Sequence, residues 1–425
     1  MKDHSRLTSL LIKTMPRMLA GIILLALIWG CASIPGLKEE SVATYIRVPF
    51  VRVLLEDGRD SIKVSADDAF AIECLEGAKQ TVYYSGQPVE VTNDDLALKV
   101  INSNGDIIQG GLTEVNIIPR GSNNRLKIND KRYRGIMKVV PTGRNVRLVN
   151  ILYMEDYLKG VVPPEIGDRT FDELEAVKAQ AVAARTYAMS HLQQYGAEPY
   201  DVKSSIIDQL YGGVDIEDRL VNLAIEATAG EVITYQDEMI DAYYHSTCGG
   251  MTDDIVDVWD RAEVPYLKPV HDTACSWSKY YKWEETFTEP QLRGRIEQYL
   301  SQDRGREIKI SPITNVVVGQ RTAGGRVMTL EIRTADDSYR FYKDRIRWVI
   351  GRTSNPDLIL PSSNFDVDIR QDSQGHIEKI VFFGSGYGHG VGMCQCGAIG
   401  HAREGWKYPR ILETYYTGVE IKKLY

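Results

Sequence analysis

Cysteine, histidine and phenylalanine are scarce in this chain of 425 residues, with 6, 7 and 8 of each. So few cysteines exclude a disulfide-stapled scaffold, so hydrophobic burial must hold the fold. The hydrophobic fraction of 43% is enough for two or three cores, at ~100–200 residues per domain. Basic charge is not in excess: 50 Lys and Arg face 58 Asp and Glu, for a net charge of -8. No basic block follows the N-terminus, which argues against a nucleic-acid binder. No repeat of solenoid period is visible. Tyrosine, in contrast, is abundant at 24 residues. Its ring has an apolar body and a polar tip, suited to sugar-like or mixed surfaces.

The N-terminus reads as an export address. Lys2, Arg6, Lys13 and Arg17 precede the apolar run Met18–Gly30. That run is shorter than the ~20 residues of a transmembrane helix and suits a signal-peptide core. Gly30 before Cys31 resembles a bacterial lipoprotein cleavage site, although Trp29 stands where a small residue is usual. The expectation is a signal peptide over 1–31, a lipidated Cys31 and a tether over 32–44; the alternative is an uncleaved signal anchor. Either places the mature protein in the cell envelope, anchored at a membrane. In a cell with two membranes, Ala32 rather than Asp after Cys31 points to the outer one. Five cysteines then remain (Cys74, Cys248, Cys275, Cys394 and Cys396), an odd number that cannot pair entirely within the chain.

From Tyr45 to about Val149, short alternating strands are punctuated by Gly, Asn and Asp, giving an all-β region over 45–149. Cys74 within it reads as a buried core thiol. A mixed α/β region over 150–425 follows, with a β-rich insertion at about 280–381. The fold class is therefore α+β. Helices are expected at Asp218–Thr228, in PQLRGRIEQYL and in YRFYKDRIRWVIG. Strands are expected in VITY and MIDAYYHS, and hairpins in ITNVVVGQRTAGGRVMTLEIRTA and FDVDIRQDSQGHIEKIVFFG.

Chemistry concentrates in three places. In the first, a Pro-Pro-Glu turn carries Glu165 ahead of a long helix. Thr170 and Glu173 form a capping box. Leu174, Val177, Ala181, Ala184 and Ala188 recur at helical spacing as one buried stripe of small residues. Lys178 and Arg185, seven apart, project together beside that stripe. A positioned carboxyl can donate a proton to a glycosidic oxygen and accept one back; the plainer reading is a loop Glu before an amphipathic helix. In the second, His245 and Cys248 combine with His271 and Cys275, a set that suits either zinc or a Cys248–Cys275 disulfide. In the third, Gly388-His389-Gly390 leads into Cys394-Gln395-Cys396, where flanking glycines would expose His389. A metal site at Cys394 and Cys396 would lack ligands nearby in sequence. His401 reads as a surface or helix-end residue.

Together, EDYLKGVVPPEI, ELEAVKAQAVAARTYAM, DVKSSIIDQLYGG, ATAGEVITYQDEMIDAYYHSTCGGMT and GYGHGVGMCQCGA through YYTGVEI resemble the sporulation stage II protein D / LytB family (SpoIID domain). These motifs occur in the family's order, from about Arg132 to the C-terminus. The resemblance implies an α+β SpoIID-type domain acting on peptidoglycan. Its members include lytic transglycosylases that cut peptide-stripped glycan between N-acetylmuramic acid and N-acetylglucosamine, leaving 1,6-anhydro ends. Others are described as enhancers of a cell-wall amidase, a non-catalytic alternative. The family's catalytic Glu maps onto Glu165, with Gly167 where a Pro is usual. Lys178, Arg185, Gln209, Tyr211, His389 and Gln395 are then candidates for substrate contact. Zinc ligands of relatives map onto His245, Cys248 and Cys275, which favours metal over disulfide. Where relatives often carry a second Cys near Cys275, this chain has His271 and Asp272.

Overall fold

Strand Asn145–Tyr153 is the backbone on which the site hangs. In the computed structural model, which describes residues 48–205, 208–355 and 357–425, it lies inside a seven-stranded sheet. The signal-peptide run, Cys31 and the tether fall outside the described residues. The sheet runs in the order Val202–Lys203, Phe50–Arg59, Asn145–Tyr153, Ile136–Thr142, Glu114–Pro119, Phe70–Glu76, Lys79–Ser85. A six-stranded sheet built around Ser61–Ala66, Val89–Asp94 and Ala97–Asn102 shares its core. Alternation decides the faces: Val51, Val53, Val64, Val91, Val100, Val115 and Ile117 are buried every second residue. Cys74 is buried among them, as its sequence context implied.

The expected break between 149 and 150 falls within strand Asn145–Tyr153, and the β region and the helices after it share one core. The strand runs directly into α1 (Met154–Lys159), then Gly160, then α2 (Val162–Ile166). Pro163 and Pro164 suit the first turn of α2, where backbone N–H groups have no acceptor in any case. Gly167 ends α2 with φ +72 and donates its N–H to the Pro163 carbonyl at 2.9 Å. That left-handed backbone favours glycine, so Gly167 fixes the turn rather than loosening it.

The capping box forms: Thr170 N–H donates to Glu173 Oε2 at 3.1 Å, in a 3-10 turn that opens α3 (Leu174–Ser190). Helix α3 does not bury a single stripe. Ala176, Val177 and every residue from Ala179 to Ala188 are buried, because other elements surround it. These are α4 (Arg219–Ala227), strand Glu231–Tyr235 and the C-terminal helices. Alanines let all of them approach closely. After α5 (Ile255–Val258), the insertion has its own core, including Phe287, Leu292, Leu330, Phe365 and Phe382. It holds α6 (Glu289–Arg304) and both expected hairpins, and strand Trp283–Phe287 pairs with Ile377–Gly384 at its root. YRFYKDRIRWVIG is not one helix. It is strand Ser338–Tyr342, a turn through Lys343 at φ +53, then α7 (Arg345–Ile350). MIDAYYHS likewise yields two short pairings, Glu238–Met239 and Tyr244–His245, rather than one strand. Helices α8 (Gln395–Arg403) and α9 (Tyr408–Tyr415) close the chain. Among the described residues no helix is long and apolar enough to cross a membrane.

The corner at Gly160 is tight. A Cβ there would sit 2.5 Å from the buried Tyr211 ring. Gly160→Ala should therefore lower stability by about 1–3 kcal/mol, the usual cost of overpacking, read as a lower midpoint in urea denaturation.

Candidate functional site

The Gly160 corner sets Glu165. Gly212 N–H donates to the Gly160 carbonyl at 2.9 Å, so the segment through Gln209–Gly212 lies along the α1–α2 turn. The Leu210 N–H then reaches Glu165 Oε1 at 3.1 Å. Glu165 keeps partial exposure, and Gln395, the first residue of α8, also hydrogen-bonds to it. Gln395 is itself oriented by Gln180 at 3.3 Å. Burial pushes the Glu165 carboxyl up to about 7, against the opposing pull of Leu210 N–H and Gln395. Desolvation, not a second carboxylate, causes the rise. Such a group is protonated in a large fraction of molecules at neutral pH and can act as an acid and then as a base.

The other candidates divide sharply. Gln209 is buried and committed. It accepts from Tyr157 Oη at 3.0 Å and donates to Tyr244 Oη at 3.0 Å and the Ala184 carbonyl at 3.3 Å. It supports the site without facing a substrate. Tyr211 is likewise buried, donating to Asn150 Oδ1 at 3.0 Å. Arg185 is fully buried and is corrected to a structural role. Its Nε and Nη2 donate to Glu155 at 2.9 and 2.7 Å, and Nη1 reaches the Glu231 carbonyl. Lys178 pairs with Glu175 at 2.9 Å and lies over the Tyr408 ring. Of the six contact candidates, Gln395 alone is hydrogen-bonded to Glu165 among the described residues.

His389 is the clearest correction. Both ring nitrogens are taken: Nδ1 accepts from Val391 N–H at 3.1 Å and Nε2 donates to the Tyr244 carbonyl at 2.9 Å. Burial lowers its pKa to about 4. The flanking glycines serve close approach, since a Cβ at Gly388 would sit 2.8 Å from His245 Cβ, and His389 keeps only partial exposure.

The ligand set also differs from the expected one. Cys248, Asp272, Cys275 and Cys394 are all buried, and their ligand atoms lie within 4.8 Å of one another. His245 is outside this group. Its Nδ1 donates to the Val391 carbonyl at 3.2 Å and its ring packs on His389, while His271 is exposed. Cys394 arrives through a short parallel pairing, His245 opposite Cys394, which the sequence separation of the two concealed. Hydrogen bonds with Cys248 and Cys394 pull the Cys275 thiol down, while theirs are pushed up. Thiols and a carboxylate at this spacing fit a metal ion. Asp272 is braced by Tyr415 Oη at 2.7 Å and by His401, which lies at the end of α8 as expected but stacked on Trp406.

Sequence reasoning missed Gln180, Tyr157 and Tyr244, and it named Asp272 beside His271 without separating the two. The amide and phenols sit in apolar helix and strand patterns that read as core. Purified under reducing conditions, Cys394→Ala should lose bound metal as completely as Cys248→Ala, whereas His245→Ala should retain it. Elemental analysis of the folded proteins checks this.

Comparison with known proteins follows the same lines. The family described as "Stage II sporulation protein" matches residues 142–235, and a domain of unknown function matches 275–392. An uncharacterized protein of Brachyspira hyodysenteriae is 32% identical over 295 residues, covering 69% of this chain and 73% of that protein. An amidase enhancer of Bacillus subtilis is 30% identical over 62% of this chain and 40% of its own length. Stage II sporulation protein D of Bacillus subtilis is 30% identical over 64% of this chain and 74% of its own length. With the motifs around Glu165 in place, the chain belongs to the stage II sporulation protein D family.

Proposed function

We propose that this protein is a peptidoglycan lytic transglycosylase with Glu165 as its single acid and base. The observation that carries the reading is Glu165 on its turn, met by Leu210 N–H and Gln395 and by no second carboxylate hydrogen-bonded to it among the described residues, with burial raising its pKa to about 7. A hydrolytic glycosidase places two carboxylates about the scissile bond. Here Asp208 is engaged by Tyr195 Oη at 2.9 Å and Lys203 N–H at 2.7 Å, and Asp168 is exposed. Glu165 meets the Leu210 N–H and Gln395 instead, with the Tyr157 and Tyr244 hydroxyls close enough to feel its charge.

One carboxyl is sufficient for a lytic cut. Protonated Glu165 gives its proton to the glycosidic oxygen between N-acetylmuramic acid and N-acetylglucosamine as that bond breaks. The muramic acid's own 6-hydroxyl attacks its anomeric carbon, and the Glu165 carboxylate takes the hydroxyl proton. The products are a free glycan end and a 1,6-anhydro end, and no water is consumed. Peptide-stripped strands are the proposed substrate. The protein would work in the cell envelope, with a lipid on Cys31 as its membrane tether. Zinc bound by Cys248, Asp272, Cys275 and Cys394 would supply structural cross-linking, because four protein ligands close the site. A third thiol in the group also favours metal over a Cys248–Cys275 disulfide. The similarity to an amidase enhancer favours a second reading: a non-catalytic glycan binder that acts on a partner amidase.

Incubation of the purified protein alone with peptide-stripped glycan separates the two readings. Anhydro-ended products are expected, and Glu165→Gln should abolish them while leaving the fold intact. Wild-type protein that releases none supports the enhancer. The rate should fall as pH rises above about 7, because the general acid loses its proton. Gln395→Leu removes a bond that favours the carboxylate, so the alkaline limb of its pH–rate profile should move to higher pH.

A further inference from the structure

An open depression of about 600 Å3 lies beside the C-terminal half of α8. Its lining includes Trp277, His271, His401, Arg403 and Glu404. Gln395, the partner of Glu165, begins α8, and Arg403 ends it. They stand eight positions apart, about 12 Å at the α-helical rise, and Trp277 lies along that span, bonded to Cys396 at one end and covered by Arg403 at the other.

Trp277 is 42% exposed, unusual for so large an apolar side chain, yet its ring is held in place. Its indole N–H donates to the Cys396 carbonyl at 3.0 Å. The Arg403 guanidinium lies 4.1 Å from the ring centroid. Arg403 in turn donates twice to Glu173, at 2.9 and 2.6 Å. Glu173 belongs to the capping box that follows the Glu165 turn. The ring is therefore fixed to the same turn-and-helix unit that fixes the carboxyl. Phe171, 74% exposed, lies between Glu165 and Glu173 in the chain. Around the depression, Arg403 is already paired with Glu173, and Glu404 adds an exposed acceptor. Interleaved donors and acceptors beside a flat aromatic ring suit a neutral polyhydroxylated ligand better than a strongly charged one.

We propose that Trp277 is the stacking platform of a remote glycan subsite, which takes a sugar of the same strand whose bond lies at Glu165. The inference rests on the glycan-directed reading above. The subsite gives longer strands an advantage that short ones cannot use. Occupancy there adds binding without touching the scissile bond, so its loss weakens long ligands and leaves short ones unchanged.

The test uses the full metal-loaded protein carrying Glu165→Gln, with β-1,4-linked N-acetylglucosamine oligomers as probes. Calorimetry compares a disaccharide with a hexasaccharide. The hexasaccharide should bind more tightly, and Trp277→Ala should reduce its affinity by about tenfold with disaccharide affinity unchanged. Trp277→Phe should restore most of the gain. Thr273→Arg, at an exposed residue on the wall of the depression, should block the gain, with unchanged metal content showing that the neighbouring Asp272 and Cys275 are undisturbed. If the length advantage survives both Trp277→Ala and Thr273→Arg, the subsite is wrong and the glycan reading stands. If neither oligomer binds the parent protein, the glycan reading falls and takes the subsite with it.

Discussion

The ion pair between Arg185 and Glu155 is the crossing point of the helical half of this protein. Arg185 has no solvent exposure, and its charge is met by both Glu155 oxygens. Glu155 also accepts from Gly230 N–H at 3.3 Å and from the C-terminal Tyr425 Oη at 2.6 Å. Nη1 of Arg185 goes to the Glu231 carbonyl, and Nη2 also reaches the Ile225 carbonyl. Helix α1, helix α3, the strand after Gly230 and the chain's last residue are thus tied to one pair of charges. Desolvating two charges is costly, and a hydrophobic pair of similar volume often matches such a pair in stability. What the pair adds is position. An unpaired Arg185 or Glu155 would be costly, so α1 cannot slide along α3. The α1–α2 turn, and Glu165 with it, inherits that register.

A second tie connects the acid to the thiol group. The short parallel pairing puts Tyr244 opposite Met393 and His245 opposite Cys394. Tyr244 Oη accepts from Gln209, whose neighbour Leu210 donates to Glu165, while Cys394 begins the turn into α8 and Gln395. His389 clips the same pairing through the Tyr244 carbonyl. A metal held by Cys248, Asp272, Cys275 and Cys394 would brace this pairing, and through Cys394 and Gln395 the turn that carries Glu165. The two functional clusters are therefore mechanically continuous while remaining chemically separate.

What could be read beforehand follows from how far the signal travels along the chain. Glu165, its prolines and the Thr170–Glu173 box are local, and the structure has them as the sequence implied. The helix over Arg219–Ala227, with Asp218 as its cap, is local as well. Cys394 was visible but set aside, because its partners lie 146 and 119 positions away and meet it only in the folded chain, where Cys248 N–H donates to its Sγ at 3.2 Å. Arg185 was misjudged for a related reason. A cation on a helix looks like a tool until the elements covering it are known, and here α4 and strand Glu231–Tyr235 cover it. His389 failed on the glycines: they signal backbone approach as readily as exposure, and only the position of His245 decides which.

The insertion shows why a segment with its own core still bears on the site. Its hairpin loop sends Arg326, 1% exposed, into an ion pair with Asp253, which is fully buried. Arg326 also donates to the Cys248 carbonyl at 3.1 Å, and Gly324 N–H donates to Asp253 Oδ1 at 2.9 Å. Asp253 N–H in turn reaches the Gly390 carbonyl at 2.8 Å. The insertion thereby grips the loop that offers Cys248 and the loop that offers His389. A Cβ at Gly390 would lie 2.2 Å from the guanidinium carbon, so glycine at that position is what admits Arg326. Gly390 thus belongs to the docking of the insertion as much as to the histidine loop, which explains why the glycine-rich motif reads as functional even though its histidine is not free to meet a ligand.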